Sequence, residues 1–451
     1  MDKKIKTAYV CTRCGAIHPK WQGQCKDCNE WNTLTEERLI SSKKPRSKKY
    51  APKSAKLPEI SLERFEGFHS GNEEFDRVLG GSLLPGSSIL LAGEPGVGKS
   101  TLILQIADRY SSNNIKVLYV TGEESPAQLK KRSERLGVHG TNITVANIIE
   151  LDEIAALIDG DHFHIVIVDS IQTISCGYFD SPPGTIGQIR EAASRLIDLC
   201  KKSDTALFLI GHVTKEGIVA GPKVLEHMVD CVLQFEGDSR RLFRLLRPSK
   251  NRFGSTFELG VFEMTRDGLN PVANPSALFL SESDSTGRSG TVVAASCEGN
   301  RPILVEIQAL VSPASYGTPQ RVAGGIDNKR LALLLAILEK RAGIPMGGYD
   351  VFVSVAGGLK LSEPAVDLAI LAAIVSSLRD LPIDAKTVVT GEVGLSGEVR
   401  AVGMADRRVT EASKLGFEKI ILPAVNKKGI ENKNIILDGV KSLEEALELM
   451  F

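Results

Sequence analysis

Several features are absent from this chain, and each absence narrows its class. No apolar run approaches the ~20 residues that a bilayer-spanning helix needs. The opening residues, Met1-Asp2-Lys3-Lys4-Ile5-Lys6, lack the apolar stretch of a secretory signal. The expectation is a cytoplasmic protein, where thiols stay reduced and clustered cysteines hold metal more often than they form disulfides. No solenoid-type repeat is visible, and 451 residues exceed one ordinary core, so two or three domains are expected. A composition of 42% hydrophobic and 24% charged residues is that of a soluble globular chain.

Net charge is missing only in sum, since the formal value is +0. Residues 1–58 hold 14 Lys and Arg against 5 Asp and Glu, so that end carries +9 and the remainder −9. A basic arm on an acidic body suits polyanion contact, and it equally suits a merely soluble linker. Residues 39–58 have no acidic side chain, three prolines and no apolar period. They read as a disordered or extended basic linker.

Among what is present, Gly93-Glu94-Pro95-Gly96-Val97-Gly98-Lys99-Ser100-Thr101 fits G-x-x-x-x-G-K-[ST] at every position. The apolar run Ser88–Ala92 before it reads as a buried strand, and Leu102–Ala107 after it as a helix. In that context the stretch is a phosphate-binding loop. Backbone N–H groups converge on a phosphate there, and the helix N-terminus adds partial positive charge. Lys99 is expected at the β/γ-phosphates of ATP, and the Ser100 hydroxyl on Mg²⁺.

Further carboxylates follow at strand ends. Ile165–Val168 reads as an apolar strand ending in Asp169, the position that sets an acid beside Mg²⁺ in a phosphate-loop fold. Val117–Val120 leads into Thr121-Gly122-Glu123-Glu124-Ser125. Glu123, nearer the strand end, is the expected water-activating carboxylate, with Glu124 as a helix first-turn acid. Leu207–Ile210 runs into Gly211-His212-Val213-Thr214-Lys215. His212 is either a γ-phosphate sensor or a satisfied strand-end histidine. Lys250 and Arg252, two apart in Ser249-Lys250-Asn251-Arg252-Phe253-Gly254, share one face if the segment is a strand. They suit two cations reaching a neighbouring subunit's nucleotide, or a solvated charged face.

Near the N-terminus, Cys11-x2-Cys14 and Cys25-x2-Cys28 offer four thiolates to one tetrahedral ion, and structural Zn²⁺ is expected over a redox pair or an iron–sulfur cluster. Trp21 and Trp31 flank the second pair; they pack the module or stack on a base, and packing is the expectation. Cys176, Cys200, Cys231 and Cys297 are scattered and read as buried apolar residues.

Strands and helices alternate from 60 to 270, with strands at Ile89–Leu91, Val117–Val120, Ile143–Val145, Ile165–Val168 and Leu207–Ile210 taken as buried and parallel. Helices are expected at Pro126–Leu136, Leu151–Ile158 and Thr185–Lys201. After 277 the texture is α+β, with strands at Ser289–Cys297, Ile303–Val311 and Val351–Val355 and helices at Asn328–Arg341 and Ala365–Leu378.

These pieces in this order resemble the RadA (Sms) family of bacterial recombination proteins along essentially the whole chain. The resemblance rests on the four cysteines, Gly93–Thr101, Ile165–Asp169 and the hallmark Lys250-Asn251-Arg252-Phe253-Gly254. It implies an α/β fold: a RecA-like phosphate-loop ATPase core, an N-terminal four-Cys zinc module and a C-terminal α+β domain like the proteolytic domain of Lon. The expected divisions are 1–38 for the zinc module, 39–58 for the linker, 59–275 for the ATPase and 276–451 for the Lon-like domain. The family implies a hexameric ring on single-stranded and branched DNA that hydrolyses ATP and promotes branch migration. It implies the recombinase RecA and a replicative helicase as partners. By position, Lys99, Ser100 and Thr101 bind phosphate and magnesium, Asp169 is the Walker B acid, and Glu123 the catalytic glutamate. Lys250 and Arg252 act at the subunit interface, and loops near Ser181–Arg190 and Val213–Lys223 hold DNA.

In the Lon-like part, Thr390–Arg400 and Leu422-Pro423 follow that domain's pattern. Lon-type peptidases need a serine after a proline and a lysine shortly after a Gly pair. Here Pro364 precedes Ala365, and Asp406 stands in the lysine slot with Arg407 and Arg408 beyond it. Nucleophilic catalysis is unavailable without nucleophile or base. The alternatives to a DNA-dependent ATPase are an ATP-switch scaffold that recruits repair partners and, less favoured, a Lon-like ATP-dependent protease.

Overall fold

The computed structural model describes residues 5–13, 15–40, 66–177, 179, 181–212, 222–237, 243–280, 287–314, 317–432 and 434–451. Cys14, linker residues 41–58 and loop residues 213–221 lie outside the described residues. The chain divides into two compact units, one reaching Pro271 and one running on from Val272.

The first unit opens with β1 (Ile5–Cys11), β2 (Ile17–His18) and β3 (Leu34–Ile40), an antiparallel sheet in the order β2-β1-β3. β3 pairs along all of β1, from Cys11 opposite Leu34 to Ile5 opposite Ile40. Leu39 and Ile40, expected to begin the linker, are therefore strand residues held by the module's own ladder. Cys11, Ala16, Cys25 and Leu34 form the core here. So small a core cannot cover two indoles. Trp21 and Trp31 are 60% and 67% exposed, which overturns the expectation that they pack the module.

Then follow α1 (Glu73–Leu79), β4 (Ser88–Gly93), α2 (Lys99–Ser112), β5 (Val117–Thr121), α3 (Pro126–Arg135), β6 (Ile143–Ala146), α4 (Leu151–Gly160) and β7 (Ile165–Asp169). They continue with α5 (Ile186–Lys202), β8 (Ala206–His212), α6 (Pro222–Glu226), β9 (Cys231–Gly237), β10 (Phe243–Asn251), β11 (Gly260–Thr265) and β12 (Gly268–Pro271). The described strands form one sheet ordered β12-β11-β10-β9-β4-β8-β7-β5-β6. From β9 to β6 neighbours are parallel; β9 to β12 are antiparallel hairpins, which the alternating pattern did not show.

The period of two explains why the parallel strands are continuous apolar runs. Ile89, Leu91, Ile165 and Ile167 point into the core under α1 and α2, while Leu90, Val166 and Val168 point into the core under α4 and α5. β6 departs from the expectation of a buried strand. It is the sheet edge, with Thr144 and Val145 exposed, because no strand lies beyond it. Local signals fix the helix starts. α3 opens on a capping box between Ser125 and Gln128 with Pro126 in its first turn.

The second unit comprises α7 (Ser276–Phe279), β13 (Thr291–Glu298), β14 (Arg301–Pro313), β15 (Arg321–Gly324), α8 (Asn328–Arg341), β16 (Tyr349–Val355) and α9 (Asp367–Arg379). It ends with β17 (Thr387–Val389), β18 (Glu392–Val393), β19 (Val399–Arg400), α10 (Ala405–Lys414), β20 (Lys419–Pro423), α11 (Ala424–Lys427), β21 (Ile436–Val440) and α12 (Leu443–Met450). Its main sheet runs β15-β16-β14-β13-β17-β20-β21, and α9, buried from Asp367 to Ser376, packs on β13 and β14.

Among the described residues of this unit, two ion pairs have a fully buried member. Arg330 grips the buried Asp367 with two hydrogen bonds, and Val393 N–H donates to the same carboxylate at 3.2 Å. Arg408, fully buried, pairs with Glu363 and donates to the carbonyls of Ala295 and Gly403 (3.0 Å to the latter). Glu363 also accepts from Cys297 N–H at 2.7 Å. Removing one partner of a buried pair strands the other, and deleting a large buried side chain leaves a cavity. Arg408→Ala is expected to lower unfolding stability by about 3 kcal/mol in urea melts followed by circular dichroism. A loss below about 1 kcal/mol would show that the pair does not hold the unit together.

Candidate functional site

Strand β4 delivers Gly93 to the loop, and α2 begins at Lys99 directly after Gly98. Two glycines are dictated by geometry. A Cβ on Gly93 would lie 2.3 Å from the Phe235 carbonyl oxygen of β9, and Gly98 has φ +112. Lys99 is 3% exposed, and its ammonium donates to the carbonyls of Gly93 (2.8 Å) and Glu94 (2.9 Å). Burial lowers its pKa to about 8, against the opposing pull of Asp169 and Glu123. Ser100 and Thr101 follow in the first turn of α2, partly buried.

The register of the parallel strands gathers the rest. Thr121 lies opposite Asp169 across β5 and β7, and Gly93 opposite His212 across β4 and β8. The carboxyl ends of these strands therefore form one crevice, where open α/β sheets bind ligands. Asp169 Oδ2 accepts a 2.6 Å hydrogen bond from the Tyr119 hydroxyl. Glu123 accepts from the Ser170 hydroxyl at 2.7 Å and faces His212 Nε2 at 3.4 Å. Glu124 is turned away, paired with Arg132 at 3.0 Å on α3. Lys99, Asp169, Glu123 and His212 are thus brought together, and the two adjacent glutamates have distinct surroundings.

Lys250 and Arg252 are elsewhere. β10 ends at Asn251, after a bulge between Pro248 and Lys250, so Arg252 lies just past the strand's end, and the two cations are near enough to act on one another. The Lys250 ammonium donates to the carbonyls of Glu226 (2.8 Å) and Val229 (2.7 Å), and Arg252 reaches Asp230 at 3.3 Å. Asp230 in turn accepts from Ser88, the first residue of β4. Asn251 donates to the Val78 and Leu79 carbonyls at the end of α1 and accepts from Phe253 and Gly254 N–H, tying the pentapeptide down. The cluster and the phosphate loop therefore occupy opposite ends of β4, about 17 Å apart at ~3.3 Å per residue.

In the N-terminal module the thiols of Cys11, Cys25 and Cys28 lie within 4.8 Å of one another. Cys11 Sγ receives the Arg13 N–H (3.4 Å) and the Thr33 hydroxyl (3.2 Å). Convergent thiols with N–H and O–H donors around them fit a sulfur-bound Zn²⁺. His18, which the cysteine spacing did not single out, lies 3.4 Å from Cys25 Sγ with Gln22 on its other ring nitrogen at 3.0 Å. Cys176, Cys200 and Cys231 are buried, as expected, and burial pushes each thiol to about 12; Cys297 is pushed to about 11.

Ser181–Arg190 leads into α5 and is braced by Gln188, which donates to the Ser181 carbonyl (2.7 Å) and accepts from Cys176 N–H (2.7 Å). In the second unit Ala365 is buried, its carbonyl accepting from Gly391 N–H at 2.7 Å and the Thr390 hydroxyl at 3.2 Å. Two further residues of the crevice escaped sequence reasoning. Tyr119 is a lone polar ring in an aliphatic strand, which is a faint signal. Buried Arg244 donates to the Val97 carbonyl of the phosphate loop at 2.7 Å, from 147 residues away, and no local pattern marks it.

Comparisons with known proteins agree with this layout. Residues 9–36 match the family described as "Rubredoxin metal binding domain", 52–217 "AAA domain", and 347–447 "Lon protease (S16) C-terminal proteolytic domain". The "DNA repair protein RadA" of Escherichia coli (strain K12) is 47% identical, over 100% of this chain and 99% of its own length. The protein of that name from Bacillus subtilis (strain 168) is 46% identical over 98% of both chains, and that of Aquifex aeolicus 46% over 99% of this chain and 100% of its own. The chain belongs to the RadA family of DNA repair proteins. Within that family it carries an AAA-type ATPase domain, a metal-binding ribbon and a Lon-type C-terminal domain. Among the described residues no helix is long and apolar enough to cross a membrane.

Two measurements probe the sites. A triphosphate beside Lys99 favours its charged form, so its pKa rises on binding from about 8. Between the free and bound values, binding takes up protons, and affinity falls as pH rises through about 8. Calorimetry of ATP binding at pH 8.5 in buffers of differing ionisation enthalpy is expected to show net proton uptake; heats independent of buffer would refute it. The two tryptophans of the chain both belong to the metal module. Chelation is therefore expected to change tryptophan emission while far-ultraviolet circular dichroism, to which this small module contributes little beside the helices and sheets of the other domains, barely moves. Unchanged emission after metal loss would contradict a structural metal.

Proposed function

We propose that the chain is a Mg²⁺- and DNA-dependent ATPase that works as a homo-hexameric ring on single-stranded and branched DNA. Its task on this reading is branch migration of recombination intermediates, alongside the recombinase RecA and a replicative helicase. The observation that carries it is the division of cations along β4. Lys99 stands with Asp169 and Glu123 at one end, whereas Lys250 and Arg252 stand at the other, out of reach of their own nucleotide. Placement at the far edge suits cations that act on the nucleotide of an adjacent subunit.

In this reading the loop amides from Gly93 to Gly98 cradle the phosphates, Lys99 leaves its carbonyl partners for the β/γ-phosphates, and Ser100 and Thr101 flank the metal. The Mg²⁺ would neutralise charge between the phosphates. Asp169 holds the metal's surroundings, and Glu123 orients the attacking water. His212 shares Glu123 and leads directly into 213–221, so loss of the γ-phosphate reaches the loop proposed to touch DNA. Ser181–Arg190 is the second DNA segment. Zn²⁺ on Cys11, Cys14, Cys25 and Cys28 holds the N-terminal module. The Lon-like unit serves as scaffold, because Ala365 offers no hydroxyl and Asp406 stands where the lysine base would be.

Lys99→Ala is expected to abolish DNA-stimulated ATP hydrolysis with the far-ultraviolet spectrum unchanged, and turnover at the wild-type rate would sink the assignment. Glu123→Gln should reduce turnover by ~100-fold or more and keep ATP binding, whereas Glu124→Gln should cost far less. Mixing Arg252→Ala with Lys99→Ala subunits should recover turnover, since each restores what the other lacks; no recovery argues against action between subunits. ATP turnover that ignores DNA at low salt would leave the scaffold reading in its place.

A further inference from the structure

We propose that Tyr119 is a positioning residue for the divalent cation, acting through Asp169. The proposal rests on the reading of Asp169 as the metal-facing acid. Tyr119 is fully buried in the middle of β5, between Leu118 and Val120, and its ring lies in the same apolar core as Ile165 and Ile167. A hydroxyl in such a layer costs free energy unless it is hydrogen-bonded. Its one acceptor is Asp169 Oδ2, at 2.6 Å, on the neighbouring strand two residues past Ile167, which Tyr119 faces.

The carboxylate needs such a hold. Rotation about the last bond of an aspartate is broad and lacks sharp staggered minima. Oδ1 takes no hydrogen bond from the described side chains, so the phenol alone sets the plane of the carboxylate. One oxygen is engaged by Tyr119, and the carboxylate lies close enough to the crevice to act on the Lys99 ammonium beside Glu123. This is the geometry of a partner behind a metal-facing group, whose removal typically weakens metal binding 10–100-fold. Phenylalanine fills the same volume in the same apolar layer, so the hydroxyl can be removed without opening a cavity.

The test uses the full chain as wild type, Tyr119→Phe, Asp169→Asn and the double variant. Mn²⁺ binding to each protein·ADP complex is read by electron paramagnetic resonance of the free ion. Binding of a fluorescent ADP analogue in EDTA reads the fold and the phosphate loop without metal. Tyr119→Phe is expected to raise the Mn²⁺ dissociation constant roughly 10-fold, with metal-free ADP binding within about twofold of wild type. The double variant should be no weaker for Mn²⁺ than Asp169→Asn alone. If Asp169→Asn weakens Mn²⁺ and Tyr119→Phe does not, Tyr119 is merely a core residue and the role of Asp169 stands. If Asp169→Asn itself leaves Mn²⁺ binding unchanged, the reading of Asp169 fails and this proposal with it. Loss of metal-free ADP binding in Tyr119→Phe would also overturn it, showing a structural role for the hydroxyl.

Discussion

A buried ammonium with only carbonyl oxygens in contact is the constraint around which the first unit is arranged. Charge taken out of water is costly unless opposite charge or dense hydrogen bonding replaces the lost hydration. Lys99 receives two carbonyls, and the carboxylates of Asp169 and Glu123 act on it from neighbouring strands without touching it. The arrangement leaves the charge underserved, and a polyphosphate is what completes it. The strand register, the glycines pressed against β9 and the guanidinium of Arg244 behind Val97 all serve to keep that loop in one shape.

The same sheet explains why the two adjacent glutamates differ. Beyond Thr121 the chain leaves the ladder, and one more residue decides which wall each side chain meets. Glu123 meets the crevice, Ser170 and His212; Glu124 meets α3 and is held by Arg132. Order along the chain alone leaves both open, because a strand end has no periodicity left to assign faces.

Much of this was legible in the residues. Apolar runs at Ile89–Leu91 and Ile165–Val168 announce buried strands, since parallel strands covered on both faces have no polar side. The phosphate loop announces its own geometry because only glycine fits where Phe235 and a positive φ meet it. What escaped lies in long-range contacts. β6 has the composition of a core strand and becomes an edge because no further described strand pairs with it. Trp21 and Trp31 look like core residues until the size of their module is known. Lys250 and Arg252 follow a strand's spacing, but the strand stops at Asn251, and their partners Glu226, Val229 and Asp230 come from another segment.

The pairing of buried Arg408 with Glu363 closes the surroundings of Ala365 through shared backbone carbonyls. Arg408 and the hydroxyl of Thr390 share the Ala295 carbonyl, and Thr390 also grips the carbonyl of Ala365. A larger side chain at 365 would therefore enter a buried cage already closed by mutual contacts. A substitution at 365 is therefore felt by Arg408 through Thr390 and the Ala295 carbonyl, so this buried network couples positions far apart in the chain.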